Sequence, residues 1–279
     1  MQHLAAQFDA SPFREKSEPK HKMSDDEQTP SQQPGAEPPS PDPETTPRDD
    51  RRSREYWNVF YSRSSAPLAP SQFAAFVANE YPDHPLIIDV GCGNGRDALF
   101  FMHLGYQTIA IDASDEAIRS IQTRMNRLEL TGLARPTLIN KDISDLAANP
   151  DERIGQIREK KKIVYARFFL HALTELQEDD FIRFVGCLCF HPEDVVAVEF
   201  RTDKDENIQK IVAKHFRRFI NPEKLKAKMA AAGALRVTYE VEGTGLAKYK
   251  TEDAQVCRIL FCMNGTQNHR AEALSKNSQ

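Results

Sequence analysis

Three glycines stand at alternate positions in the run from Asp89 to Gly95, which reads Asp-Val-Gly-Cys-Gly-Asn-Gly. Without a Cβ atom, the backbone at Gly91 and Gly93 turns sharply and approaches a ligand closely. The run follows the apolar segment 86–90 and precedes a helical pattern. Ligands of parallel sheets bind at the carboxyl ends of strands, so this loop is placed to hold one. A tight strand-to-helix connection without a ligand is the alternative interpretation.

Two acids follow the next two predicted strands. Asp112 ends the second strand, where its carboxylate can accept both hydroxyls of a ribose. Asp142 ends the third strand, where it can accept a hydrogen bond from an adenine amine while Ile143 packs nearby. A helix-capping or solvated acid is the alternative at both positions. Together with the glycines, these acids indicate a nucleoside-binding edge of a sheet.

Short apolar runs alternate with helical patterns, which favours a doubly wound sheet. The strands are predicted at 86–90, 107–111, 137–140, 163–166, 195–200, 236–242 and 255–262. The helices are predicted at 54–62, 71–81, 96–104, 114–130, 175–189 and 222–232, with one more in the charged stretch that ends at 162. No long helix separates the last two strands, which indicates antiparallel pairing. We therefore predict an α/β, Rossmann-like doubly wound sheet of about seven strands, mostly parallel with an antiparallel last strand.

The two ends of the chain differ in composition from its middle. Residues 1–53 are rich in proline and polar residues, and they predict a disordered tail because little in them can be buried. Residues 54–264 are predicted as one folded domain, and 265–279 as a flexible C-terminal tail. The partner of the N-terminal tail, if it has one, is left open.

The composition excludes several classes of function. A net charge of −4 and a pI of about 6.1 argue against a general nucleic-acid binder. No apolar run approaches the roughly 20 residues that span a bilayer, so we expect no membrane insertion. Five scattered cysteines fit neither a disulfide framework nor a zinc site, so we expect no metal and a cytoplasmic location.

Basic residues mark a second site beside the predicted loop. Arg167 and Arg201 follow adjacent strands, while Arg218 and Lys248 come from later segments that can fold over the same edge. Guanidinium groups hold phosphate or carboxylate through paired hydrogen bonds, so the set predicts an anionic ligand. Ion pairing on the surface is the alternative for all of them. The acids available for it are Glu175, Glu199 and Asp203.

His171 is the candidate general base, because imidazole titrates near neutral pH and can take a proton from a hydroxyl. If the ligand is already an anion, His171 would orient it instead, and a purely structural role is also open. Tyr165 lies on the same strand as Arg167 and is expected to touch the ligand. Trp57, in the aromatic leading helix, is interpreted as a core contact.

Three features resemble the motifs of class I S-adenosyl-L-methionine (SAM) dependent methyltransferases. They are the loop with the pattern Asp-x-Gly-x-Gly-x-Gly, the acid that ends strand two, and the aspartate followed by a hydrophobic residue that ends strand three. The resemblance covers roughly residues 54–263 and implies SAM as the cofactor. It implies that the glycine loop lines the methionine moiety, Asp112 holds the ribose, Asp142 holds the adenine, and Asp89 orients the amino group. The implied cofactor-binding residues are Asp89, Gly91, Cys92, Gly93, Gly95, Asp112, Ala113, Asp142 and Ile143.

The acceptor is the methylated molecule, and its expected contacts are the basic and aromatic residues of the second site. They are Tyr165, Arg167, Arg201, Arg218 and Lys248, with His171 and Arg167 as the catalytic pair. The run 165–171, with Arg217-Arg218 and the run 245–250, is similar to bacterial methyltransferases of cell-surface polysaccharide synthesis, which implies methylation of a phosphate or a sugar hydroxyl. We therefore predict O-methylation of a small-molecule or glycan-linked acceptor through a phosphate, carboxylate or hydroxyl group. An N- or C-methyltransferase of the same fold, or a non-catalytic SAM-binding subunit, remains open.

Overall fold

The computed structural model describes the middle of the chain and leaves out both predicted tails almost entirely. The described residues are 50–62, 66–83, 86–127, 135–157, 159–205, 218–233 and 235–263. The leading helix α1, Asp50–Ser62, begins four residues before the predicted domain boundary. The rest of the predicted N-terminal tail and the whole C-terminal tail lie outside the described residues.

Seven strands form one sheet, as predicted. They are β1 Leu86–Val90, β2 Gln107–Asp112, β3 Thr137–Asn140, β4 Ile163–Arg167, β5 Val195–Arg201, β6 Leu235–Gly243 and β7 Val256–Met263. Their order is β3-β2-β1-β4-β5-β7-β6, and β7 runs antiparallel to both of its neighbours. The chain winds outward from β1 on one side and from β4 on the other. The carboxyl ends of β1 and β4 therefore flank the crevice where such sheets bind ligands.

Eight helices flank the sheet among the described residues. Besides α1 they are α2 Gln72–Glu80, α3 Arg96–His103, α4 Asp115–Arg127, α5 Ile143–Ala148, α6 Glu152–Gly155, α7 Glu175–Leu188 and α8 Pro222–Gly233. Side chains alternate between the two faces of a strand, so Ile87 packs with α2 and α3 while Ile88 packs with α5 to α8. Both faces are thus covered, which explains why β1 is buried at all five positions.

The charged stretch before β4 contains two short helices where one was predicted. Asp142 begins α5 by accepting from the Ser144 N–H, and Asp151 begins α6 by accepting from the Arg153 N–H. Pro150 lies between them, and a proline has no N–H to continue a helix. Ser71, Ser114 and Asn221 cap α2, α4 and α8, since their side chains accept from the N–H groups three residues on.

A buried ion pair holds the ends of β4 and β5 that lie opposite the crevice. Lys162 Nζ is 2.8 Å from Asp194 Oδ2, and both side chains are fully buried. Asp194 also accepts from three backbone N–H groups, those of Lys162, Phe190 and His191. These contacts fix the amino ends of β4 and β5. They therefore also help to set the positions of the carboxyl ends of the two strands, where the site lies.

We expect Lys162→Met to lower the free energy of unfolding by about 3 kcal/mol, because it leaves the Asp194 carboxylate buried without its cation. Lys161→Met is the matched control, since its ion pair with Glu193 is solvent-exposed and such pairs contribute less than about 1 kcal/mol. Urea unfolding of both variants measures the difference. Equal losses in the two variants would contradict the assignment of the buried pair as a stabilising contact.

Candidate active site

A cavity of about 500 Å³ opens at the carboxyl ends of β1, β2, β4 and β5. This volume suits a small organic ligand. Its walls come from α1, the glycine loop after β1, the segment after β4 and the connection between β6 and β7. The predicted cofactor loop and the predicted acceptor segment therefore share one cavity.

The three loop glycines have backbone angles that other residues rarely adopt. Their φ values are 72° at Gly91, 54° at Gly93 and 71° at Gly95. A Cβ atom would collide with the Phe169 ring at Gly91 and with the Tyr61 hydroxyl at Gly93. The absence of side chains therefore allows both the turn and the close approach of the neighbouring elements.

Backbone hydrogen bonds hold the loop against β2. The N–H groups of Gly91 and Cys92 donate to the Ile111 carbonyl at 2.9 and 3.0 Å. The Gly93 N–H donates to Asp112 Oδ2 at 2.8 Å. The position of the loop is therefore set by the end of β2, which also carries the predicted ribose-binding acid.

Asp112 is engaged on both of its oxygens. Oδ1 accepts from the Ser114 N–H and Oδ2 from the Gly93 N–H, both at 2.8 Å. Burial raises the pKa of this carboxyl to about 6, although the two N–H donors oppose the shift. Each carboxylate oxygen can accept a further hydrogen bond. Asp112 can therefore hold its own turn and bind ribose hydroxyls at the same time.

The third acid, Asp142, caps α5 through Oδ1. It lies in the cavity wall, and it also lines a small adjoining pocket with Ala113 and Ile143. The capping role that the sequence left open is thus present. Contact with an adenine remains a prediction.

Asp89 is the buried acid whose charge the chain leaves least compensated. Its side chain lies in the cavity wall with only 2% exposure, and Oδ2 has no hydrogen-bond partner among the described residues. Burial raises its pKa well above the usual range, and the nearby Asp97 and Asp112 charges add to that shift. A buried acceptor without a partner indicates a bound donor or cation, and the protonated amine of SAM fits that description.

Asp97 is a functional candidate that sequence reasoning did not place in the site. Its carboxylate accepts from the Ser71 N–H at 2.7 Å, the Ser71 hydroxyl at 2.8 Å and the Tyr165 hydroxyl at 2.8 Å. It thereby joins the starts of α2 and α3 to β4, directly beneath the glycine loop. No local pattern marks such a residue, because its partners are 26 and 68 positions away.

The segment after β4 brings the predicted catalytic pair into the cavity. Arg167 Nε donates to Glu199 Oε1 at 2.8 Å, and its guanidinium lies 4.1 Å from the centre of the Phe168 ring. Phe168 has a φ of 55°, an uncommon value for a bulky residue. Tyr165 also lines the cavity, but its side chain is fully buried and its hydroxyl is bonded to Asp97, so it supports the site.

His171 lies in a short 3-10 turn, Leu170–Ala172, and lines the cavity. The Arg201 N–H donates to His171 Nδ1 at 3.4 Å. A neutral imidazole whose Nδ1 accepts carries its proton on Nε2.

Of the other residues predicted to contact the acceptor, Arg201 lines the cavity and two do not. Arg201 lines the cavity, but its guanidinium pairs with Asp205 at 2.8 Å and with Glu252. Arg218 and Lys248 do not line the cavity, which corrects their predicted role. Arg218 donates to the Leu173 carbonyl and pairs with Glu178, while the exposed Lys248 lies two residues before the lysine that does reach the wall, Lys250.

The leading helix closes the cavity. Trp57, Phe60 and Tyr61 line it as a cluster of stacked and edge-on rings. Trp57 is therefore a wall residue rather than the core contact we had expected. Asn58 fixes the helix by accepting from the Ser114 hydroxyl at 2.7 Å, at the start of α4.

A seven-stranded sheet with a glycine loop and a following acid defines a domain that binds nucleoside cofactors. Residues 87–175 match the sequence model of a family described as a methyltransferase domain. That match spans the glycine loop, both following acids and the segment after β4. This part of the chain is therefore a methyltransferase domain, and the fold around it is that of SAM-dependent methyltransferases.

Solved structures support the fold. A SAM-dependent methyltransferase from Anabaena variabilis is 15% identical, with a TM-score of 0.58, over 78% of this chain and 96% of its own. The magnesium protoporphyrin IX methyltransferase of Synechocystis, solved with bound SAM, is 13% identical, with a TM-score of 0.55, over 78% and 99%. The glycopeptide N-methyltransferase MtfA is 14% identical, with a TM-score of 0.55, over 70% and 97%. No curated protein matches the chain.

These matches support the class and not the narrower resemblance to methyltransferases of polysaccharide synthesis. Two of these names state an acceptor, a magnesium protoporphyrin in one and a glycopeptide in the other, so the shared fold leaves the acceptor of this chain open. None of the described helices is long and apolar enough to cross a membrane.

We expect Gly93→Ala to weaken binding of S-adenosylhomocysteine, the demethylated cofactor, at least tenfold, because the new methyl group displaces Tyr61 from the cavity wall. Gly105→Ala is the matched control. Gly105 also has a positive φ, but no atom lies within 4 Å of the added carbon. Both variants should lose about 1–2 kcal/mol of stability from backbone strain. Calorimetric titration that finds equal affinity in the two variants would contradict the assignment.

We expect the affinity for S-adenosylhomocysteine to fall as the pH drops through about 6, because protonation removes acceptor capacity from Asp112. Asp112→Asn should bind more weakly at pH 8 and lack this step. Asp89, Asp97 and Asp142 also face the site. Any pH dependence of the affinity that these three acids cause should therefore persist in Asp112→Asn. Calorimetric titrations between pH 5 and 8 compare the affinities of the two proteins. If the affinity of the variant falls near pH 6 in the same way, Asp112 is not the group responsible.

Proposed function

We propose that this protein transfers a methyl group from SAM to an anionic oxygen of a small acceptor, such as a carboxylate or a phosphate. One observation carries the proposal. A single cavity joins the incompletely paired Asp89 and the glycine loop to a wall that contains Arg167 and His171. The first part suits a cationic nucleoside and the second an anion.

The cofactor side of the cavity fits SAM on the features of this chain. Gly91 and Gly93 line the cavity where the methionine moiety would lie, and Asp89 offers an acceptor to its amino group. Asp112 offers remaining acceptor capacity to the ribose, and Asp142 in the cavity wall offers an acceptor to the adenine amine. When bound, SAM supplies a methyl group on a positively charged sulfur.

The residues on the acceptor side of the cavity are better suited to orienting the acceptor than to removing a proton from it. His171 Nδ1 accepts from the Arg201 N–H, so this nitrogen is engaged within the protein and is not the base of the proposed transfer. An oxygen that is already ionised needs no base. Arg167 adds a positive charge held in place by Glu199 and by stacking on Phe168. Arg167 and His171 would hold the anionic oxygen in line with the methyl carbon at about 3 Å, which is the arrangement that a displacement requires.

The bonds and charges of this transfer balance without a further reactant. The acceptor oxygen forms the new bond to the methyl carbon, while the electron pair of the broken carbon–sulfur bond remains on sulfur. The acceptor loses one negative charge and the sulfur loses its positive charge. Water is kept away by the aromatic residues of α1, which reduces hydrolysis.

Isotope-labelled SAM and a panel of oxygen, nitrogen and carbon acceptors test this function. We expect label in methyl esters of carboxylic or phosphoric acids. Label found only in amines or on carbon would contradict O-methylation. Binding of SAM without transfer to any acceptor would favour a non-catalytic role instead.

We expect Arg167→Ala to raise the KM for the acceptor at least tenfold and to leave the affinity for S-adenosylhomocysteine within about threefold, because contacts to one ligand act locally. The change is tolerable for the fold, since Glu199 keeps its second partner, Arg258, at 2.6 Å. Arg183→Ala, which removes an exposed pair with Asp180, is the control. Equal losses for cofactor and acceptor would show that Arg167 is a structural residue.

A further inference from the structure

The connection between β6 and β7 ends in a two-residue turn with a lysine at an unfavourable position. Tyr249 and Glu252 exchange two backbone hydrogen bonds of 2.9 Å, so Lys250 and Thr251 form the turn. Lys250 has a φ of 54°, and turns of this kind favour glycine, asparagine or aspartate at such a position. A lysine in a left-handed conformation points to a use for its side chain.

The turn is fixed beside the end of β4. Glu252 pairs with Arg201, whose guanidinium lies 5.6 Å from the centre of the Phe168 ring. Arg258 donates to the Leu246 carbonyl at the other end of the connection. Tyr249 and Lys250 therefore line the same cavity as Arg167 from a fixed position.

Lys250 differs from Arg167 and Arg201 in its charge balance. Arg201 is compensated by Asp205 and Glu252, and Arg167 shares Glu199 with Arg258. Lys250 forms no ion pair with a described residue, and its Nζ lies 5.4 Å from the centre of the Tyr249 ring. A ligand can therefore use this charge without displacing a carboxylate, unlike the charges of Arg167 and Arg201.

The two charges also lie at different depths. The Arg167 side chain is only 16% exposed, whereas Lys250 is exposed and Tyr249 beside it is 45% exposed. Arg167 is thus placed at the base of the acceptor space and Lys250 at its mouth. A ligand that reaches from one to the other meets a cation at each end.

We propose that Lys250 binds a second, non-reacting anionic group of the acceptor, so that the preferred acceptors are dianions of the dicarboxylate type. This inference rests on the proposed function, in which Arg167 and His171 hold the oxygen that is methylated. The remote group contributes to binding equally before and during transfer. It should therefore affect KM and not kcat.

Lys250→Gly tests the proposal without endangering the fold. Glycine accepts the positive φ without strain, so the turn should keep or gain stability. Lys248→Gly is the matched control, because Lys248 belongs to the same connection, is exposed and does not line the cavity. Both variants lose one lysine and gain one glycine, so they share the same change in net charge.

The probes are aliphatic dicarboxylates of graded length, the benzene dicarboxylates, and the monomethyl ester of each acid. We expect the unmodified protein to methylate at least one diacid with a KM at least tenfold below that of its monoester. Lys250→Gly should raise the KM for that diacid to the monoester level and keep kcat within about twofold. Lys248→Gly should match the unmodified protein. Titration of the diacid into protein saturated with S-adenosylhomocysteine should show the same loss of affinity without turnover.

The outcomes separate this inference from the function on which it rests. Transfer to acids with no preference for diacids, or an equal effect of Lys250→Gly on diacid and monoester, would overturn the role of Lys250 alone. Absence of transfer to every acid, despite cofactor binding, would overturn the proposed acceptor chemistry itself. A loss of folding stability in Lys250→Gly would show that the lysine has a structural role in the turn.

Discussion

The burial of carboxylates at the carboxyl ends of the parallel strands is the constraint on which the rest of the site depends. A buried carboxylate is costly unless donors or cations satisfy it. Asp112 is satisfied by backbone N–H groups, Asp97 by serine and tyrosine, and Glu199 by two arginines. Asp89 keeps one oxygen without such a partner. That difference distinguishes Asp89, which keeps an oxygen without a protein partner, from the acids whose oxygens hold the walls of the cavity together.

The satisfied acids also connect elements that the chain keeps far apart in sequence. Asp97 ties α2 and β4 to the start of α3, and Asp112 ties β2 to the glycine loop. Glu199 lies between Arg167 on β4 and Arg258 on β7. The hydrogen bonds and ion pairs of these acids, which we call the polar framework, therefore hold both the glycine loop and the wall proposed for the acceptor. They give the rigid geometry that methyl transfer needs.

Two residues of the cavity wall depart from ordinary backbone preferences. Among the described residues other than glycine, only Phe168 and Lys250 have a positive φ, and both line the cavity. Phe168 places its ring against Arg167, while Lys250 places a charge at the mouth. Strain of this kind persists where the surrounding contacts determine the backbone, and it is common at ligand sites. Both positions belong to the part of the cavity that we propose for the acceptor.

The sequence by itself determined the sheet, the glycine loop and the helix caps, because strand burial, positive φ and capping are local properties of neighbouring residues. It did not determine which basic residues face the cavity. Arg218 and Lys248 matched the charge pattern as well as Arg167, but ion pairs and chain direction place them elsewhere. The partners that decide this lie far away in the chain, as Glu199 does from Arg167, 32 positions on. Only the tertiary structure brings such partners together, and therefore only it decides which charges remain available to a ligand.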